Sequence, residues 1–345
     1  MKMIPWWSTN FGNEEIKNVS NSIRNKCISQ GRVTEDFERK ISEFLEVDHV
    51  IAVTNGSSAL LISLMAIGIS PGDEVIIPNR TWIATAHAVH ILGAKAIIID
   101  TQKDLPLIDV NQIESMITSK TKAIIPVHMN GRSCDMSVIS KIAKKYKLFV
   151  IEDAAQAIGS KNSSGFLGTQ SDAGCFSLSV AKAISTGQGG FVVSKNSEIA
   201  NKIRAIRTHG VENVKDPDGW EMPGFNFRFN DILASIGIEQ LKRLPGRLDH
   251  LRNIYEVYSN NLKNTAFSQI PVDLNVGEIP IYNEYLVKNR SNWVDKLDAN
   301  GIETRPFYPA MSDAKYLETG NKKYTNSEVY SNCGIYLPSG PSQDI

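Results

Sequence analysis

One lysine, Lys182, sits in the segment "SLSVAKAISTGQGG" (177–190), five residues after Ser177 and five before a glycine-rich turn. Small residues on both sides leave room for a bulky partner to reach its amine. An unprotonated lysine amine attacks carbonyl carbon and forms a Schiff base. A lysine alone in a loop is more often simply solvated, and "TGQGG" alone reads as a flexible turn. Two further segments change that balance. "FVIEDAAQAIG" (149–159) puts Asp153 at the end of an apolar run, before a small-residue stretch that reads as a helix. A carboxylate there suits a cationic ring nitrogen or a metal, or caps the helix that follows. "TNGSSAL" (54–60) enters a helix through Asn-Gly-Ser-Ser. Free N–H groups at a helix start attract phosphate, and the Ser57 and Ser58 hydroxyls add bonds. Plain helix capping explains the same residues.

Each signal is weak alone. In this order they match what pyridoxal 5'-phosphate (PLP) requires. A cradle holds the phosphate, and a lysine joins the aldehyde. A carboxylate keeps the ring nitrogen protonated so that the ring accepts carbanion electrons. An aromatic side chain should cover the ring. "PNRTWIATAHA" (78–88) offers Trp82, which could equally be a core tryptophan.

The elements that must position these residues alternate. Apolar runs at 49–54, 73–79, 94–100, 121–129 and 148–153 read as buried strands. Helical patterns at 57–68, 85–93, 109–117 and 135–146 lie between them. That alternation predicts an α/β chain with a mostly parallel sheet covered on both faces. Before it, Ile16, Val19 and Ile23 mark a helix over 13–26, and Thr34 is a plausible cap for a second helix. After it, 230–262 reads as one long helical stretch broken or kinked at Pro245-Gly246. A strand at 279–287 and a helix at 290–301 then suggest a small α+β unit. We expect a large domain over 1–238 and a smaller one over 239–345.

The 345 residues carry 37 Lys+Arg and 37 Asp+Glu, so nothing advertises a nucleic-acid or anionic-membrane partner. No apolar run approaches the ~20 residues a membrane helix needs. The opening lacks a secretion signal, and the four cysteines form no CxxC pair. We expect no metal site, and a cytoplasmic protein with reduced thiols.

The chain resembles the PLP-dependent sugar aminotransferases of the DegT/DnrJ/EryC1/StrS group, within fold type I (aspartate aminotransferase-like). The resemblance runs from about Pro5 to the last residues. Its carriers are "TNGSSALLISLMA", "GDEVIIPNRTWIATAHAV", "VIEDAAQAIGS", "GCFSLSVAKAISTGQGG" and "GFNFRFNDILASIGIEQL". It implies that Lys182 holds PLP, that Asp153 pairs with the pyridinium nitrogen, and that Trp82 stacks on the ring. Gln156, three residues beyond Asp153 and on the same helical face, would bond the ring hydroxyl. Gly56, Ser57 and Ser177 would hold the phosphate. Asn226, in "GFNFR", would reach across a homodimer interface to the neighbour's phosphate, and Arg228 would face the amino donor's carboxylate.

The resemblance also implies a two-stage reaction. L-glutamate leaves its amino group on the cofactor, giving pyridoxamine 5'-phosphate, and a nucleotide-linked keto sugar then receives it. "GIETRPFYPA" (301–310) and "LPSGPS" (337–342) are similar to the small domain of enzymes that aminate C4 of 4-keto-6-deoxyhexoses. Arg305 and Tyr308 become candidates for nucleotide or sugar contact, with domain packing as the equal alternative. C3 amination, or a UDP-linked acetamido sugar, is the close alternative reaction. Family membership suggests supply of O-antigen or another glycan. Relatives that dehydrate instead carry histidine in place of the lysine, and Lys182 argues against that chemistry. A scaffold without activity is the remote reading. Three departures stand out. Gln188 replaces a usual glutamate, Leu61 replaces a usual histidine, and the chain stops where relatives usually continue into a last helix.

Overall fold

The structure, a computed structural model, describes residues 3–212, 219–220, 222–317, 320 and 322–344. Two helices open the chain, α1 (Asn13–Arg24) and α2 (Arg32–Leu45). The main sheet then forms from β1 (His49–Val53), β2 (Glu74–Pro78), β3 (Lys95–Ile99), β4 (Thr121–Ile124), β5 (Phe149–Asp153), β8 (Ala173–Ser177) and β9 (Gly190–Ser194). A small hairpin, β6 (Lys161–Asn162) with β7 (Gly165–Phe166), interrupts the series. Helices α3 (Gly56–Ala66), α4 (Ala84–Ile91), α5 (Met136–Tyr146) and α6 (Ser197–Arg207) connect or follow the strands.

The strand order is β1-β9-β8-β5-β4-β2-β3. Every pairing is parallel except the two made by β9. The expected mostly parallel sheet is therefore present. Side chains alternate across a strand, and here both faces are apolar. Val75 and Ile77 of β2 pack with Ile51, Val53, Ala59, Ile62 and Ile203 on one face. Ile76 faces the opposite way, against Ile124, Ile139 and Val150. Each such buried isoleucine contributes roughly 1.5–3 kcal/mol. That two-sided burial is why the strands read as continuous apolar runs.

Helices α7 (Asp231–Lys242) and α8 (Leu244–Leu262) fill the long helical stretch. The break comes at Arg243, with Pro245 in the first turn of α8, where its missing N–H costs nothing. A second, antiparallel sheet follows, ordered β10-β11-β13-β12. Its strands are β10 (Ser268–Gln269), β11 (Asn283–Leu286), β12 (Arg305–Pro306) and β13 (Gly334–Leu337), with α9 (Arg290–Asp298) and α10 (Thr325–Cys333). The expected small-domain boundary, residue 238, lies within α7. The N-terminal segment joins the second unit: Ile4 bridges Ile302 and Trp7 bridges Ser339.

Four local expectations differ. Residues 109–117 form two 3₁₀ turns, Val110–Gln112 and Glu114–Met116, rather than a helix. The stretch after Asp153 forms turns, with Gly159 at φ +84°, which only a residue without a Cβ adopts freely. Thr34 lies inside α2, where its N–H and hydroxyl both donate to Asp231 Oδ1. On α1, Ile16 and Ile23 face outward and Glu15 faces inward. Glu15 accepts from Gln240 Nε2 at 2.7 Å and from Arg243 Nη2 at 3.1 Å, and this polar tie to α7 and its C-terminal cap outweighs the apolar pattern.

Candidate active site

Because β1, β2, β5 and β8 run parallel, their carboxyl ends share one edge of the sheet. Those ends deliver Gly56, Trp82, Asp153 and Ser177 to one place, as open α/β sheets do with their ligand sites.

After β1 the chain turns into α3, capped by Asn55, whose Oδ1 accepts from the Ser58 N–H at 2.8 Å. The Ser58 hydroxyl is buried and spent on Thr54 at 3.0 Å. Ser57 is exposed, so of the two serines only Ser57 has a hydroxyl open to a ligand. Gly56 lies directly against Ser177. A Cβ at 56 would come within 2.9 Å of Ser177 Cβ. The start of α3 and the end of β8 thus form one pocket wall, with free helix N–H groups and serine hydroxyls on it. A phosphate fits such a wall.

Asp153 is buried at the end of β5. Its N–H donates to Pro126 O, and its C=O accepts from the His128 N–H. Its Oδ2 accepts from Thr85 Oγ1 at 2.8 Å and its Oδ1 from Ala155 N at 3.1 Å. Burial pushes its carboxyl above the usual aspartate range, against the pull of those bonds and of Lys182. Among the described residues no cation lies within ion-pair distance of it. A buried carboxylate with two neutral donors suits a cationic ring nitrogen, which would reverse that shift.

Lys182 lies half-buried on the loop between β8 and β9. Burial holds its amine below the usual lysine value, opposed by attraction to Tyr308 and Asp153. Its Nζ donates to Tyr282 Oη at 3.3 Å. Trp82 is 57% exposed rather than in the core, with Tyr308 edge-on at 5.6 Å. Gln156 is buried, and its Oε1 accepts from the Asn130 N–H at 2.9 Å. A turn carries it, not the helical face expected from sequence, and Asn130 fixes its direction.

Tyr308 belongs to this cluster. It packs on Trp82, and the buried Arg80 guanidinium lies 4.0 Å from its ring centre. Arg305 sits farther out. It is exposed and lies over the Trp6 ring at 4.7 Å, and Trp6 in turn stacks on Tyr282 at 6.1 Å. Arg228 bridges Val53 beside the α3 start, and its Nε donates to Asn226 Oδ1 at 3.0 Å. Asn226 is exposed, next to a 71% exposed Phe225. Thr85, Asn130 and Tyr282 complete the site without having been singled out from sequence. Thr85 carried a usable signal, three residues past Trp82 in "TWIATAHA". Tyr282 and Asn130 come from distant segments and carried none.

Among the described residues, no group of three or more His, Cys, Asp or Glu side chains could hold a metal, and no helix is long and apolar enough to cross a membrane.

A doubly covered, mostly parallel sheet with lysine, carboxylate and phosphate wall at its carboxyl edge defines a PLP-dependent transferase of fold type I. Residues 9–344 match the DegT/DnrJ/EryC1/StrS aminotransferase family, and the chain belongs to that family. It is a PLP-dependent aminotransferase. It is 34% identical to GDP-perosamine synthase of Escherichia coli O157:H7, over 99% of this chain and 94% of that protein. A DegT/DnrJ/EryC1/StrS aminotransferase from Brucella abortus matches with TM-score 0.91 and 28% identity, covering 96% of this chain and 91% of that one. DesV of S. venezuelae, solved in complex with a ketimine intermediate, matches with TM-score 0.93 and 26% identity, covering 100% of this chain and 95% of that one.

Proposed function

We propose that this enzyme moves the amino group of L-glutamate onto C4 of a nucleotide-linked 4-keto-6-deoxyhexose, giving a 4-amino-4,6-dideoxy sugar. The observation that carries the substrate is the end-to-end similarity to GDP-perosamine synthase, which favours a GDP-linked sugar. The observation that carries the chemistry is a half-buried lysine amine with a lowered pKa in electrostatic reach of a buried carboxylate that has no cation within ion-pair distance among the described residues.

In this reading Gly56, Ser57 and Ser177 hold the phosphate of PLP, Trp82 and Gln156 contact its ring, and Asp153 holds its ring nitrogen. PLP supplies an aldehyde for the amino group and a ring that takes up carbanion electrons. The residues of the chain do the rest. Lys182 holds the cofactor at rest. Once displaced by the donor, its amine takes the α-proton of glutamate as general base, a role suited to an amine whose pKa burial has lowered. In the second stage the same amine returns a proton to C4 of the sugar. Arg228 receives the donor's carboxylate. Tyr308 and Arg305 line the approach of the sugar nucleotide. The smaller domain is the unit built on the second sheet, begun after α7 rather than inside it, and it brings Tyr282 and Tyr308 to the lysine.

The enzyme acts in this reading as a cytoplasmic homodimer, with Asn226 reaching the partner's phosphate site. The 71% exposed Phe225 beside Asn226 supports a covered surface there. Its product would feed O-antigen or a similar glycan.

The test is an absorption spectrum of the purified protein with PLP, before and after glutamate, followed by a panel of keto sugar nucleotides. A yellow band that fades with glutamate, and an amino sugar detected by mass spectrometry from the GDP-linked 4-keto-6-deoxyhexose, is the expected result. Turnover only of a dTDP-linked 4-keto sugar, a 3-keto sugar or a UDP-linked acetamido sugar would redirect the substrate. A band indifferent to glutamate would overturn the donor.

A further inference from the structure

Tyr282 and Lys182 are 100 residues apart in sequence and meet through one hydroxyl. Tyr282 Oη donates to Ala181 O at 2.7 Å, the carbonyl just before the lysine. A phenol has a single proton. The 3.3 Å contact with Lys182 Nζ must therefore have nitrogen as donor. A neutral amine carries two N–H groups and one lone pair. Giving one N–H to Tyr282 aims the amine and leaves its lone pair free.

The tyrosine is itself fixed on every side. Its ring stacks on Trp6 at 6.1 Å and meets Trp7 and Tyr336 edge-on at 5.4 and 5.3 Å. Its N–H donates to Asn130 Oδ1 at 2.6 Å, and its C=O accepts from Asn130 Nδ2 at 2.9 Å. Burial raises its pKa above the usual phenol value, so the hydroxyl stays neutral. The loop has a second, separate brace. Trp7 Nε1 and Thr9 Oγ1 both donate to Val180 O, at 2.8 and 2.9 Å, without touching the lysine amine.

We propose that Tyr282 is a positioning residue that orients the Lys182 amine for proton transfer, as well as bracing its loop. The proposal rests on Lys182 being the reacting amine of the proposed function. Asp153, from β5, and Tyr308 are the other titratable groups that act on Lys182, and neither is altered in the test.

Two substitutions separate orientation from bracing. Tyr282→Phe removes the lysine contact and one loop bond while the ring packing remains. Thr9→Val removes the loop bond to Val180 O and leaves the rings packed on Tyr282 in place. In cofactor-free, full-length protein, the pH dependence of Lys182 carbamoylation by cyanate is followed by peptide mass spectrometry. The hydroxyl oxygen stabilises the ammonium, so its loss should move the Lys182 midpoint down by about one pH unit, or about tenfold in proton affinity. Thr9→Val should leave that midpoint where it is. With cofactor bound, Tyr282→Phe should also enlarge the primary isotope effect from α-deuterated glutamate. An unchanged midpoint in Tyr282→Phe, or equal movement in both variants, would overturn the proposal. If Tyr282→Phe fails to fold, the isotope effect in Asn130→Ala, which frees the Tyr282 backbone, decides the matter in the same direction. Wild-type protein inert to glutamate would sink the aminotransferase donor instead, and would leave the labelling result standing.

Discussion

Thr85 Oγ1 donates to Asp153 Oδ2 at 2.8 Å, and both side chains are buried. Behind Thr85 stands the Thr81 hydroxyl at 2.9 Å. The start of α4 therefore sets the direction of the carboxylate at the end of β5. Thr85→Val keeps the shape and removes that donor. A hydrogen bond to a charged group is worth ~1.5–3 kcal/mol, so PLP affinity should fall roughly 10- to 100-fold. A PLP titration followed by tryptophan fluorescence measures it. Unchanged affinity would mean that Ala155 alone orients the carboxylate.

The buried carboxylate also predicts a trade between stability and function. Burial raises the Asp153 pKa above its unfolded value. A carboxyl raised in this way is favourable to the fold while protonated, and becomes a penalty as pH rises past the unfolded value. At pH 7 the cofactor-free protein carries that penalty. Asp153→Asn should therefore melt higher than wild type without cofactor at pH 7, by roughly 1–2 °C per kcal/mol recovered in a chain of this size. The gain should disappear near pH 4, and the variant should be unable to transaminate. Thermal melts at the two pH values check it, and a variant less stable than wild type at pH 7 contradicts it.

Gly56 and Ser177 share one wall, and the close approach there depends on the missing Cβ. Gly56→Ala should cost ~1–3 kcal/mol by overpacking and weaken PLP binding. Adding Ser177→Gly relieves the clash. The double variant should recover its melting temperature and not its affinity, because the hydroxyl is gone. Recovery of both would show that Ser177 does no more than fill space.

Lys182→Ala should abolish turnover, with a loss of at least about 10²–10⁴-fold attributable to the general base alone, and should still bind PLP weakly. Rapid-quench measurement of the glutamate half-reaction reads this directly. Glutamate turnover that survives would mean that a group other than Lys182 takes the α-proton.

The sheet was legible because burial on both faces makes strands into apolar runs, and the site because its residues sit at strand ends. Asp153 and Ser177 end strands, whereas Gly56 opens α3 and Lys182 lies on the loop after β8, and their expected roles came from their order along the chain and the family resemblance. What stayed hidden depends on contacts between distant segments. The direction of Gln156 comes from Asn130, and α1 buries Glu15 because Gln240 and Arg243 are there to meet it. No local pattern encodes either partner. The 109–117 segment shows the opposite failure, a good local helical pattern that the fold uses as two short turns.

Beside Asp153, Glu152 points to the other side of β5 and meets buried His128 at 2.9 Å. Glu152 also accepts from the N–H groups of Gly168 and Gln170 and from the Ser171 hydroxyl. The Cys134 N–H donates to His128 Nδ1 at 3.3 Å, so that nitrogen keeps its lone pair and the buried imidazole is neutral, donating from Nε2 to Glu152. His128 also donates its backbone N–H to Asp153 O, so the pair anchors the strand end that carries the carboxylate. His128→Ala removes one donor from the buried Glu152 carboxylate and should cost at least ~1–3 kcal/mol. Because the wild-type ring is neutral, the gap from wild type should stay constant from pH 6 to pH 10. Melting curves of both proteins at pH 6, 8 and 10 test this. A gap that narrows steadily toward pH 10 would mean that the imidazole is charged in the fold.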